Sequence, residues 1–154
     1  MRDFNDADRA KKKGRITRES SLSTLPKNRR TELAEMVRAS LVNSYLPCRT
    51  AFQIARKAEV PLHTVGDTVD DLSVRITDCQ LGCFSVNKTI HDNLTPESVD
   101  RLALEEVDSV VQNGKLTCAG VFDLARRLKL GPMAVATAAN LRHYKIHQCQ
   151  LGCF

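Results

Sequence analysis

Six cysteines carry the reactive chemistry of this chain, in two sets displaced by seventy positions: Cys48, Cys79 and Cys83, then Cys118, Cys149 and Cys153. Four of them belong to two copies of one hexapeptide, Cys-Gln-Leu-Gly-Cys-Phe, at residues 79–84 and 149–154. Three chemistries suit such a set. Thiolates bind zinc or an iron-sulfur cluster, and a pair with three residues between lies within zinc-ligand spacing. All six cysteines are therefore candidate metal ligands. Neither set has an evident fourth donor, since His63 is matched by Met133 and His147 by Thr77. A three-thiolate site completed from outside, or a four-thiolate site from the two pairs, remains open. The second chemistry is reversible oxidation to Cys79–Cys83 and Cys149–Cys153 disulfides. Cys48 and Cys118 would assist it from the first turn of a helix, where the dipole lowers a thiol pKa. In the third, the cysteines are small buried hydrophobes and nothing more.

The elements that must position these thiols are themselves duplicated. Shifting the sequence by seventy positions superposes residues 26–84 on 96–154 without a gap, with 17 identities in 59. Outside the hexapeptide these include Pro26 with Pro96, Asn43 with Asn113, Cys48 with Cys118, Ala55 with Ala125 and Val65 with Val135. Such periodicity marks a tandem repeat of one small module. Each module reads as three helices and a short strand. Leu33, Met36, Val37 and Leu41 form the apolar stripe of the first helix in one copy, and Ala103, Val107, Val110 and Val111 in the other. In the second copy Thr95 and Pro96 are placed to start that helix and Asn113-Gly114 to end it. The next helix begins after Pro47 or Thr117, and its Cys48, Phe52 and Ala55 share a face. A hairpin with Gln-Leu-Gly as its loop, the glycine left-handed, would set Cys79 opposite Cys83 and Cys149 opposite Cys153.

Two stretches, Ile54-Ala-Arg-Lys-Ala-Glu-Val-Pro-Leu-His-Thr-Val-Gly-Asp-Thr-Val69 and Leu124-Ala-Arg-Arg-Leu-Lys-Leu-Gly-Pro-Met-Ala-Val-Ala-Thr-Ala-Ala139, resemble the helix-turn-helix motif of bacterial and archaeal DNA-binding regulators. Ala55 and Ala125 match its small crossing residue, Val60 and Leu130 the apolar residue of the turn, and Val65 and Val135 the anchor of the second helix. Glu59 and Lys129 depart from the pattern, standing where a glycine is frequent, and imply a longer or reshaped turn. Leu72–Ile76 and His143–Ile146 look like the strand that opens a wing. The resemblance implies a mainly α fold with short β wings: two tandem winged helix-turn-helix-like units, residues 26–84 and 96–154. A linker, residues 85–95, would join them, and a disordered basic arm, residues 1–25, would precede them.

Charge separates the arm from the rest. The net charge is +5, and residues 1–30 hold ten Lys and Arg against four acids, so the other 124 residues sum to −1. The arm's Lys11, Lys12, Lys13 and Arg15 are candidate phosphate contacts. In the second unit Thr137, Asn140, Arg142, His143 and Lys145 are candidate DNA contacts, on a helix whose alanines equally suit burial or a partner. The matching helix of the first unit carries Asp67, Asp70 and Asp71 and no base, which suits a protein partner or a homodimer contact better than DNA. No nucleophile triad, phosphate-cradling loop or paired-carboxylate pattern stands out, so no enzyme is expected. The charged N-terminus lacks a secretory apolar core and no run is long enough for a bilayer, which places the expected protein in the cytoplasm, away from membranes. Two functions remain: a DNA-binding transcriptional regulator with metal- or redox-sensing cysteines, or a cysteine-ligated metal, iron-sulfur or redox accessory protein that docks on a protein.

Overall fold

A computed structural model describes residues 6, 7, 10, 11, 20–86 and 95–154. The described chain is mainly helical, with four very short strands. Its helices are α1 (Lys27–Ala39), α2 (Cys48–Lys57), α3 (Leu62–Asp71), α4 (Arg101–Glu106), α5 (Cys118–Leu128) and α6 (Pro132–Leu141). The strands are β1 (Tyr45–Pro47), β2 (Arg75–Thr77), β3 (Leu116–Thr117) and β4 (Ile146–His147). Among the described residues no helix is long and apolar enough to cross a membrane.

Two compact units emerge. One comprises the chain up to Cys79 together with Gln150–Phe154; the other comprises Gln80–Cys149. The division cuts each hexapeptide after its first cysteine, so the chain's last five residues belong to the first unit. Residues 20–25 also belong to that folded unit rather than to a basic arm: Ser21–Thr24 form a 3₁₀ turn packed on α3. Asp6, Ala7, Ala10 and Lys11 are helical and exposed, whereas Lys12, Lys13 and Arg15 lie outside the described residues.

In the first unit α1, α2 and α3 pack on one another around Leu33, Val37, Ile54, Ala55, Val65 and Val69, all buried. In the second, α4, α5 and α6 enclose Ala103, Val107, Val121, Leu124, Ala125 and Val135. The first helix differs between the copies. α1 runs thirteen residues from its Pro26 N-cap. The second copy instead makes a 3₁₀ turn at Pro96–Ser98, then starts α4 afresh because the Asp100 carboxylate accepts the Ala103 N–H at 2.9 Å. That local cap outcompetes continuation from Thr95.

The described strands pair in parallel, not as the antiparallel hairpins expected of wings. β1 pairs in parallel with β2, Leu46 opposite Ile76 and Pro47 opposite Thr77; β3 pairs likewise with β4, Thr117 opposite His147. A parallel pair needs a long crossover, and here α2–α3 or α5–α6 supplies it. Both hexapeptides are turns and bends with no strand pairing among the described residues, so the expected hairpin is absent. The left-handed glycine is present nonetheless, at Gly82 (φ 69°) and Gly152 (φ 70°).

The turn between α2 and α3 keeps the geometry that glycine would give it. Glu59 (φ 53°) is left-handed; its N–H reaches the Arg56 carbonyl and that of Val60 the Ala55 carbonyl at 3.0 Å. Lys129 (φ 57°) repeats this with Arg126, and Leu130 with Ala125 at 2.9 Å. This is the six-to-one and five-to-two pattern that closes many helices. A longer turn is therefore not needed, and the side chains bear the left-handed penalty instead. Glu59→Gly and Lys129→Gly should each stabilise the protein by about 1 kcal/mol, read as a higher urea midpoint at unchanged slope. A lower midpoint would mean that those side chains make contacts worth more than the backbone strain.

Candidate functional site

Each parallel ladder ends where two cysteines begin. Cys48 lies one residue beyond the last Cα pair, Pro47 with Thr77, and Cys79 lies two residues beyond it on the other strand. Both are buried, at 5% exposure. Cys118 and Cys149 occupy the same positions after Thr117 and His147, buried and half-buried. Cys48 and Cys118 are the first residues of α2 and α5, as expected, and the Thr117 hydroxyl caps α5 by accepting the Gly120 N–H at 3.0 Å. All six cysteines are thiols.

The division into units regroups them. The first unit contains Cys48, Cys79 and Cys153; the second contains Cys118, Cys149 and Cys83. The two cysteines of one hexapeptide thus belong to different units, and they differ in environment, Cys79 being buried and Cys83 exposed. Among the described residues no three His, Cys, Asp or Glu side chains gather closely enough to hold a metal ion.

The candidate reading helices are closed over. Of α3 only Asp71 is exposed, and of α6 no residue is. In the first unit the Asp67 carboxylate accepts from the Ser21 N–H at 2.8 Å and the Ser21 hydroxyl at 2.9 Å, and that hydroxyl lies 3.0 Å from Thr64 Oγ1. On another part of α3, Gly66 meets the main chain of Leu151 so closely that a Cβ there would stand 2.0 Å from the Leu151 carbonyl oxygen. Residues 20–25 and 150–154 therefore cover the helix that a major groove would need.

In the second unit Val135, Ala136, Ala138 and Ala139 of α6 are all fully buried, because residues this small let α4 and α5 approach on two sides. Thr137 spends its hydroxyl on the Met133 carbonyl at 2.8 Å, and Asn140 is half-buried. Arg142 is exposed but lies 3.9 Å from the Asp108 carboxylate and 3.5 Å from the Leu104 carbonyl. Asp108 also accepts from the Tyr144 hydroxyl at 2.8 Å, which holds that phenol above its ordinary pKa. Only His143 and Lys145, beyond the helix, are exposed without such ties to described residues.

No family model, curated protein or solved structure matches the chain.

One basic surface escaped the sequence reading. α2 holds Arg49, Gln53, Arg56 and Lys57, all exposed, and no acid. The signal was the decapeptide Cys-Arg-Thr-Ala-Phe-Gln-Ile-Ala-Arg-Lys itself, read for its buried face and not for its outer one.

Proposed function

We propose that the protein is a thiol-bearing accessory module that uses a tandem helix-turn-helix-like framework to dock on another protein, and that it does not read DNA bases. The observation that carries this reading is the covering of α3 and α6. A helix enters the major groove by presenting several polar side chains to base edges, and these two present almost none. In α3 the exposed residue is an aspartate, which phosphates repel. The described strands form parallel ladders, buried at Leu46 and Leu116, which supports docking over groove reading.

In this reading the ladder ends are the working sites. Cys48 with Cys79, and Cys118 with Cys149, are dithiols whose oxidation by a small-molecule disulfide joins the two sulfurs, their two protons passing to the two thiols that the oxidant becomes. Two electrons pass to the oxidant, which leaves as its thiols. Cys48 and Cys118 are the first residues of α2 and α5, and either sulfur of each pair can attack the oxidant.

Two measurements test the reading. Titration with duplex DNA at low salt should give only sequence-independent binding, unaltered in Asn140→Ala and Lys145→Ala; sequence-specific binding lost in those variants rejects the docking reading in favour of a regulator. Peptide mapping of the whole chain after treatment with glutathione disulfide should return Cys48–Cys79 and Cys118–Cys149 bridges. Bridges confined to the hexapeptides, or none, reject the proposed thiol pairing.

A further inference from the structure

Arg49, Gln53, Arg56 and Lys57 lie at i, i+4, i+7 and i+8 on α2, so they share about a 100° sector of the helix. The row is about 12 Å long at the helical rise. All four side chains are exposed, and among the described residues no carboxylate pairs with Arg49, Arg56 or Lys57. The nearest acid in sequence, Glu59, is exposed in the following turn.

The same row in the second unit is neutralised. Ala119 and Asp123 replace Arg49 and Gln53, Arg126 pairs with Asp123 at 3.0 Å, and Arg127 pairs with Glu106 at 3.6 Å and donates to Ser109 Oγ at 3.0 Å. Solvated arginines are common, but two copies of one helix that differ in this way point to a role confined to the first. At the base of the row, Arg29 on α1 donates to the Ala58 carbonyl and pairs with Glu32 at 2.7 Å, fixing α2 to its neighbour. The row therefore stands on a rigid element.

Resting on the protein-docking reading above, we infer that the outer face of α2 is the docking surface and that its occupant is an acidic helical segment of a partner protein. Two turns of a helix with carboxylates at i, i+4 and i+7 match the row in length and sign. A nucleic acid matches it less well. Three cations neutralise about three phosphates, giving a salt slope of only about −2.7, whereas regulators make six to ten such contacts. Residues 20–154 carry 16 bases against 14 acids, a net charge of only +2, and Asp67, Asp70, Asp71 and Asp78 lie in the same unit, so beyond the Debye length of about 8 Å the folded part draws a polyanion in only weakly. Short-range pairing is what this face offers.

The test uses the full chain and a synthetic helical peptide with Glu at i, i+4 and i+7. Arg49→Ala with Arg56→Ala should weaken binding about tenfold, the sum of two exposed ion pairs, while leaving the unfolding transition in place. Arg56→Glu should lose binding to this peptide and recover it with a peptide carrying Lys at the facing position. Equal binding by wild type and the double alanine variant overturns the inference, as does failure of the charge swap. Displacement of the peptide by duplex DNA of equal charge, with DNA binding lost in the same variants, also overturns it. Each of these leaves the oxidation map of the thiols untouched, so failure here is distinguishable from failure of the thiol reading.

Discussion

Gly66→Ala should destabilise the protein by about 1–3 kcal/mol, although alanine is the better helix former. Two effects oppose each other at this position. In the interior of α3, replacing glycine by alanine favours the helix by about 1 kcal/mol. The added methyl, however, would stand 2.0 Å from the Leu151 carbonyl oxygen and 2.8 Å from its carbonyl carbon. These are main-chain atoms, which no rotamer change moves aside, so either α3 shifts or Gln150–Phe154 leaves its seat. Loss of a buried leucine's contacts is on the scale of 2–5 kcal/mol, and it outweighs the propensity gain. The check is urea unfolding together with the alkylation rate of Cys153, which should rise as the terminal segment loosens. A stabilised variant with unchanged Cys153 reactivity would show that the terminus does not sit on α3. Ala136→Gly, at the matching position of α6, is the companion measurement: no clash is introduced there, and its cost should be only the propensity and methyl terms.

Leu151→Ala should cost about 2–5 kcal/mol, because the side chain is 1% exposed and its removal leaves a hole in a packed core. Against a typical total of 5–15 kcal/mol for a domain, this is a large fraction. Where the loss is felt discriminates more sharply than its size. Leu151 belongs with the first unit although it is the last leucine of the second repeat. Amide exchange should therefore accelerate in Leu62–Asp71 and not in Pro132–Leu141. Acceleration in Pro132–Leu141 instead would mean that each hexapeptide serves the repeat that encodes it.

The chemistry inferred for this chain follows from that regrouping. When each hexapeptide is taken as a closed loop, its two cysteines are the natural pair. With the chain divided after Cys79 and after Cys149, the proposed pairs are Cys48 with Cys79, both buried, and Cys118, buried, with the half-buried Cys149. The alteration needs no change of residue. It comes from which piece of chain fills which core.

The sequence by itself settled what depends on neighbours along the chain. Spacing of apolar residues placed the helical stripes at Leu33 and Val37, at Ala55 and at Val65, all of which are buried. Cys48 and Cys118 fell at helix starts because Pro47 and Thr117 precede them, and Gly82 and Gly152 took the left-handed conformation that a tight turn requires. Pairing of distant segments was decided only by the tertiary structure. Nothing local to Arg75–Thr77 chooses a hairpin partner over Tyr45–Pro47, since a strand of three residues pairs with whichever backbone the packed helices bring beside it. Likewise Gly66 is an ordinary helix-weakening residue until Leu151 lies against it, nothing local to α3 shows that residues 20–25 and Leu151 lie on it, and α6, whose alanines equally suited burial or a partner, is buried by its neighbouring helices. Burial sums over segments far apart in sequence, whereas periodicity is written within one helix, and that difference set the boundary between what was legible and what was not.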